Sequence, residues 1–344
     1  MSLLRSLCIA ISMYSRIPAP WSSEWKKEDG RFAVAFFPVV GVIIGLCTFG
    51  WFCLWAQIAN RHASALVSSP ALGVNSAMPS LALGANSAMP SLALGANSAM
   101  PSLALGANSA MPSLALGANS AMPSLALGAN SVMPSLALGA NSAMPSLALV
   151  LTSCIIPLLI TGGIHLDGFM DTSDARHSYG SREKKLEILN DPHIGAFAVI
   201  RTIILCAIFV SAVDVILHWA SPGRITVFCL IYILSRALSG IAVLTFKGAK
   251  KQGMLQNLRE TSAPSQRVNL AVLLLEAAAA AAVMLAIDPA AGAAVVAAAL
   301  AVMLHYYKVA MREFGGTTGD LAGWFLCRCE AAMATALALV CVFF

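Results

Sequence analysis

The feature that most limits this chain is a succession of apolar stretches, each close to the length a helix needs to cross a bilayer. They run Phe32–Ile58, Leu147–Ile164, Ile194–His218, Ile225–Leu244, Val268–Ile287, Ala290–Ala310 and Leu321–Phe344. A helix rising 1.5 Å per residue needs about 20 such residues to cross ~30 Å of hydrocarbon. With 58% apolar residues, 11% charged residues and a mean hydropathy of +0.79, the chain reads as an integral membrane protein. The length of 344 residues would allow two soluble domains, but the composition argues for one membrane domain over 1–344. The expected fold class is all-α, a polytopic membrane helix bundle of about seven spans.

The net charge of +5 is small, and no basic stripe interleaved with aromatics is present, so nucleic acid is not an expected partner. Nine cysteines are scattered through apolar segments without a CxxC pair, and Cys327 and Cys329 read as buried thiols. Residues 1–17 carry Arg5 and Arg16 and run into Pro18, which fits an interfacial helix better than a cleavable signal. Trp21, Trp25, Lys26, Lys27 and Arg31 follow, the mixture found at a membrane interface. Pro38, Gly41 and Gly45 predict a kink in the first span.

Basic residues set the orientation. With the N-terminus inside, 15 of the 21 Lys and Arg residues fall on one side and only Arg61 and Arg224 in the opposite loops. The expectation is a multi-pass protein of the cytoplasmic (inner) membrane, N-terminus in and C-terminus out, in contact with lipid. Between the first two spans, residues 69–149 hold a low-complexity repeat. The unit Asn-Ser-Ala-Met-Pro-Ser-Leu-Ala-Leu-Gly-Ala starts at Asn75 and recurs every 11 residues to Asn141, with Val132 as a variant. Proline in every unit, and glycine in all but the last, argue against a continuous helix, and the insertion reads as an expanded loop without a catalytic role.

Against this apolar background, five of the sixteen carboxylates lie close together: Asp167, Asp171, Asp174, Glu183 and Glu187. Charge beside membrane segments is costly unless paired, solvated or metal-bound, which makes it a functional candidate. If 167–174 is helical, Asp171 and Asp174 lie within roughly 40° of Asp167 around the axis. A divalent cation would relieve their repulsion, and carboxylate oxygens suit Mg²⁺. A solvated acidic face is the plainer alternative. His165 is a candidate base or substrate contact, or a structural histidine. Arg182, Lys184 and Lys185 stand beside the acids, either to bind pyrophosphate or to form helix-surface pairs. Near the end, Gly315, Gly316, Thr317 and Thr318 offer backbone N–H groups and hydroxyls for phosphate, or form a plain turn. Asp320 either completes a metal site or caps the next helix. Arg201, Arg236, Asp214 and Glu276 fall within candidate spans, where they pair inside the bundle or sit near the interface.

The segment Thr161-Gly-Gly-Ile-His-Leu-Asp-Gly168, with Asp171-Thr172, Arg182-Glu183, Asp191 and Ile194-Gly195, resembles the signature of the cobalamin synthase family. Arg16-Ile-Pro18, Phe37-Pro-Val-Val-Gly41 and Gly315-Gly-Thr-Thr-Gly-Asp320 resemble it as well. The resemblance implies an adenosylcobinamide-GDP ribazoletransferase. Its substrates would be adenosylcobinamide-GDP and α-ribazole, or the 5′-phosphate of the latter, with GMP released late in cobalamin assembly. It implies Mg²⁺ on Asp167, Asp171, Asp174 and Asp320, catalytic work for Asp167, Asp171 and His165, and an active site facing the cytoplasm. Substrate would be bound by Arg182, Lys184 and the 315–318 loop. It is compatible with a homo-oligomer. A Mg²⁺-dependent prenyltransferase would call for a second Asp-rich motif. A CDP-alcohol phosphotransferase would call for Ala-Arg soon after Asp167-Gly168, where Phe-Met-Asp-Thr stands. A transporter would scatter its charges at the midplane.

Overall fold

The computed structural model describes residues 2–18, 26–67, 147–250 and 253–344, with five short stretches inside 82–127. The expected interface residues Trp21 and Trp25 lie outside the described residues. Eleven helices are described: α1 (Ser2–Tyr14), α2 (Phe37–Val67), α3 (Leu147–Thr161), α4 (Ile164–His177), α5 (Arg182–Ile188), α6 (Ala196–Trp219), α7 (Pro222–Thr245), α8 (Met254–Ser262), α9 (Gln266–Ile287), α10 (Pro289–Val309) and α11 (Gly319–Phe343). Two compact units result, one of residues 1–51 with 147–344 and one of residues 52–146.

Among the described residues, six segments are long and apolar enough to cross a membrane: Phe37–Ile58, Ala196–Trp219, Pro222–Thr245, Met254–Ile287, Pro289–Phe314 and Gly319–Phe343. The pair α3–α4 is apolar enough only when taken together, and its halves meet at 93°, the form of a broken span or a re-entrant loop. The chain is thus a multi-pass helical bundle. Pro38 enters the first span at its first turn, where a missing N–H breaks no helical bond, rather than at a kink. The break between α3 and α4 falls at Gly162 and Gly163, with φ of 66° and 81°, a left-handed conformation that side chains with a Cβ resist.

Cross-contacts show where the loops lie. Trp51 donates to Thr152 at 3.0 Å, and the Arg16 amide donates to the Ile160 carbonyl at 2.8 Å. So α3 runs back along α2, and α4 turns across the end of the bundle. Phe37 meets His165 there, with ring centroids 5.8 Å apart. The loop after α7 reaches the same end, where the Thr317 amide donates to the Lys247 carbonyl at 2.7 Å and the Ala249 amide to the Thr317 carbonyl at 3.0 Å. Arg31 also reaches it, donating to Ser265 at 3.0 Å. One end of the bundle therefore gathers the N-terminal region, the acidic helix, the 246–266 connection and the 315–320 loop.

A core cluster supports this end. Ile9, Ala10, Ala33, Val34, Val243, Leu244, Leu258 and Leu273 are buried together, with Met13, Tyr14 and Leu255 against them. Deeper in the bundle, Arg236 of α7 pairs with Glu330 of α11, and Ser235 donates to the same carboxylate at 3.0 Å. Of the other charges expected to pair, Arg201 meets His177 at 2.8 Å and Asp214 meets His218 at 3.5 Å. Cys8, Cys47, Cys53, Cys154, Cys206, Cys327, Cys329 and Cys341 are free thiols.

In the second unit the described stretches are strands: β1 (Ala82–Leu83), β2 (Leu92–Leu94), β3 (Leu103–Leu105), β4 (Ala115–Leu116) and β5 (Ala126–Leu127). They pair in parallel in the order β1-β2-β3-β4-β5, with Ala82 opposite Ala93 and Ala93 opposite Ala104. The register is one repeat unit per strand, so identical side chains stack on one another. Their Ala-Leu segments lie between the proline and glycine of each unit, where a short extended run survives.

Candidate functional site

The acidic segment is helical, as its spacing predicts: α4 holds Asp167, Asp171 and Asp174 on neighbouring turns. Gly168 brings it into backbone contact with the start of α11, for a Cβ there would lie 2.8 Å from the Asp320 carbonyl. Asp320 thereby joins the α4 acids although the two stand 146 residues from Asp174 in sequence.

The electrostatics follow from this crowding. The Asp171 carboxyl is raised to about 6, first by burial and then by Asp167, Asp320 and Asp174, with Lys250 acting against them. Among the described residues none of these four aspartates forms an ion pair with Lys or Arg. Nor is any group of three or more His, Cys, Asp or Glu side chains already drawn together as a cation cage among the described residues. The four acids feel one another without converging. Asp174 has a further role, since its carboxylate lies against Gly195 at the N-terminus of α6. Negative charge is favoured there by the helix dipole.

A partly open cavity of about 310 Å³ adjoins the acids. His165, Asp167, Thr317, Thr318 and Asp320 line it; Asp171, Asp174, Arg182, Lys184, Gly315 and Gly316 do not. His165 is held neutral by burial and then by the Arg236 charge, its pKa lowered to about 3. Its Nε2 is buried without a hydrogen-bond partner. Lys250 and Asn190 are among the lining residues that no sequence motif marked as part of a site. Lys250, which looked like a topology determinant, lines the cavity beside Asn190 and donates to its Oδ1 at 2.7 Å. Asn190 carried no signal beyond its place just after the basic helix.

The 315–320 loop is more structural than its composition suggests. Thr317 bonds Tyr306 through its hydroxyl and the 247–249 backbone through its own backbone. The Gly316 amide donates to the Ala310 carbonyl at 2.9 Å, and a Cβ on Gly316 would run into the 247–249 backbone. Thr318 caps α11, accepting from the Leu321 amide at 3.2 Å. Asp320 in turn accepts from the Thr318 hydroxyl at 3.4 Å.

The basic residues separate as well. Arg182 packs over Gly315, whose φ is 76°. Lys184 makes an exposed pair with Glu187 at 3.0 Å. Lys185 and Arg176 both hold Glu313, at 3.1 and 2.8 Å, tying α4 and α5 to the end of α10. Asp191 is exposed and bonded to His193.

The family model described as "Cobalamin-5-phosphate synthase" matches residues 6–76 and 105–338. The unmatched stretch between them lies within the repeat. An adenosylcobinamide-GDP ribazoletransferase of Lachnoclostridium phytofermentans is 32% identical over 96% of this chain and 92% of its own length. Proteins of the same name from Clostridium botulinum and Geobacillus kaustophilus are 34% and 36% identical over 50% and 48% of this chain, and 66% and 62% of theirs. No solved structure matches.

Proposed function

Because the chain belongs to the cobalamin-5-phosphate synthase family, we infer that it is a membrane transferase of late cobalamin assembly. It joins the adenosylcobinamide phosphate of adenosylcobinamide-GDP to α-ribazole, or to its 5′-phosphate, and releases GMP. The observation that carries the reading is the meeting of α4, the start of α11 and Lys250 at one cavity. Phosphoryl transfer depends chiefly on alignment and on neutralising charge, and these elements supply groups for both.

An acceptor oxygen of α-ribazole bonds to the phosphorus nearer cobinamide as the pyrophosphate P–O bond breaks and GMP departs with the electron pair. His165, neutral and with Nε2 free, orients the attacking hydroxyl as a hydrogen-bond acceptor. Asp167, on the cavity wall, takes its proton. Lys250, and Arg182 from its position beside Gly315, oppose the charge gathering on the single phosphate that leaves as GMP. The donor set fits Mg²⁺. Asp167, Asp171, Asp174 and Asp320 offer hard oxygen ligands whose mutual repulsion a cation relieves, and the ion when bound neutralises the pyrophosphate.

The basic end of the bundle faces the cytoplasm of the inner membrane, and the repeat takes no part in the chemistry. Prenyl transfer is disfavoured, since no second Asp-rich helix lines the cavity among the described residues. The test is GMP release by the purified protein from adenosylcobinamide-GDP with α-ribazole and Mg²⁺. Stoichiometric corrinoid product is expected, and no GMP release would end the reading.

A further inference from the structure

The cavity is divided by chemistry. On one side stand His165, Asp167, Lys250 and Asp320, contributed by α4, α11 and the loop after α7. On the other stand Tyr14, Val34, Phe37, Val243, Leu255 and Leu258, contributed by α1, α7, α8 and the approach to the first span. Most of this second wall belongs to the buried apolar cluster that supports this end of the bundle. Phe37 joins the halves, stacked near Tyr14 at 4.1 Å between ring centroids and edge-on to His165 at 5.8 Å.

Size then discriminates between the two substrates of the proposed reaction. A cavity of about 310 Å³ is at the lower end of the roughly 300–1,000 Å³ range of small-molecule sites. It matches a nucleoside. A corrin macrocycle carrying adenosyl and nucleotide groups is several times too large. α-Ribazole is itself divided as the cavity is, an apolar dimethylated aromatic base on a polar ribose.

We propose that this cavity is the acceptor subsite, with the apolar base held by Tyr14, Phe37, Val243 and Leu258 and the ribose turned toward His165 and Asp167. The corrinoid substrate stays outside, and only its pyrophosphate reaches the acids. The proposal rests on the transferase reading and deepens it. The base is chosen by volume and by a wall that is mainly apolar, with Ser239 of α7 and Gln256 of α8 as its polar members; a base with more exocyclic polar groups than these can meet would bury some of them unpaired. The unpartnered Nε2 of His165, at the junction of the two halves, is the acceptor for a ribose hydroxyl.

The test uses the full-length protein and separate KM values for the two substrates. Val243→Phe narrows the apolar half. It should raise KM for α-ribazole at least tenfold and leave KM for adenosylcobinamide-GDP within twofold. An acceptor with an unmethylated benzimidazole base should recover most of the loss. Val243→Ala, which threatens folding less, should narrow the preference of the enzyme for the dimethylated base over the unmethylated one. A rise in the corrinoid KM equal to that for α-ribazole, or unchanged base preference in both variants, would overturn the subsite. A wild-type protein that releases no GMP would instead end the transferase reading itself.

Discussion

Two groups of charges sit among the helices, and they are handled in opposite ways. Arg236 and Glu330 neutralise one another in mid-bundle, where Ser235 also donates to Glu330 and the Tyr232 carbonyl accepts from Arg236 at 3.0 Å, leaving the Arg236 Nε without a partner. Asp167, Asp171, Asp174 and Asp320 have like charges for neighbours and no Lys or Arg at ion-pair distance among the described residues. A buried pair satisfied within the fold belongs to the architecture. Unpaired like charges beside a cavity leave a deficit that only a ligand removes, which is how functional sites commonly look.

The comparison breaks most sharply at Asp167. Asp167→Asn is expected to lower turnover at least 10³-fold, about 4 kcal/mol in barrier height. The unfolding midpoint should stay level or rise, since one repelling charge is gone. Activity above a tenth of wild type at saturating Mg²⁺ would mean the acids are merely a solvated face.

The ion pair should behave the other way round. Arg236→Met leaves Glu330 buried and alone and should destabilise the fold by about 3–5 kcal/mol. Adding Glu330→Leu should restore most of that stability, as read by thermal unfolding in detergent. Single and double variants of equal stability would place the pair outside the architecture.

A gentler probe is pH. With the Asp171 carboxyl raised to about 6, it gains a proton as pH falls through that value, two units earlier than an ordinary aspartate. Metal ligands must be deprotonated, so the Mg²⁺ half-saturation should rise about tenfold between pH 7 and pH 5. Calorimetric titration with Mg²⁺ alone checks this independently of turnover, and a flat response over that interval would detach Asp171 from the ion.

The smallest effect concerns Lys184. Its pair with Glu187 is exposed on both sides, at 57% and 71%. Such pairs are worth roughly 0.2–1 kcal/mol. Lys184→Ala is expected to change KM for adenosylcobinamide-GDP less than twofold, and a tenfold rise would move this lysine into the substrate site.

Much of this molecule is written in local patterns. Apolar runs near 20 residues and a one-sided distribution of Lys and Arg determined a multi-pass bundle, because the cost of placing charge in hydrocarbon acts on each segment separately. The spacing of Asp167, Asp171 and Asp174 determined a shared helical face by the period of the helix alone. Proline in each repeat unit, with glycine in all but the last, argued locally against a continuous helix, and only the glycine-free last unit runs into one, α3.

What the tertiary structure decided are the meetings between distant segments. Gly168 looked like permission for a ligand to approach and instead admits the backbone of Asp320. Gly316 and Thr317 looked like a phosphate cradle, yet most of their polar groups bind the 247–249 backbone, Ala310 and Tyr306. Lys250 looked like a marker of orientation and came to rest on the wall of the cavity. Hydrophobic period and charge count report how a segment meets solvent or lipid. They carry nothing about which other segment packs against it, and the cavity exists only where α1, α4, α7, α8 and α11 close around the same volume.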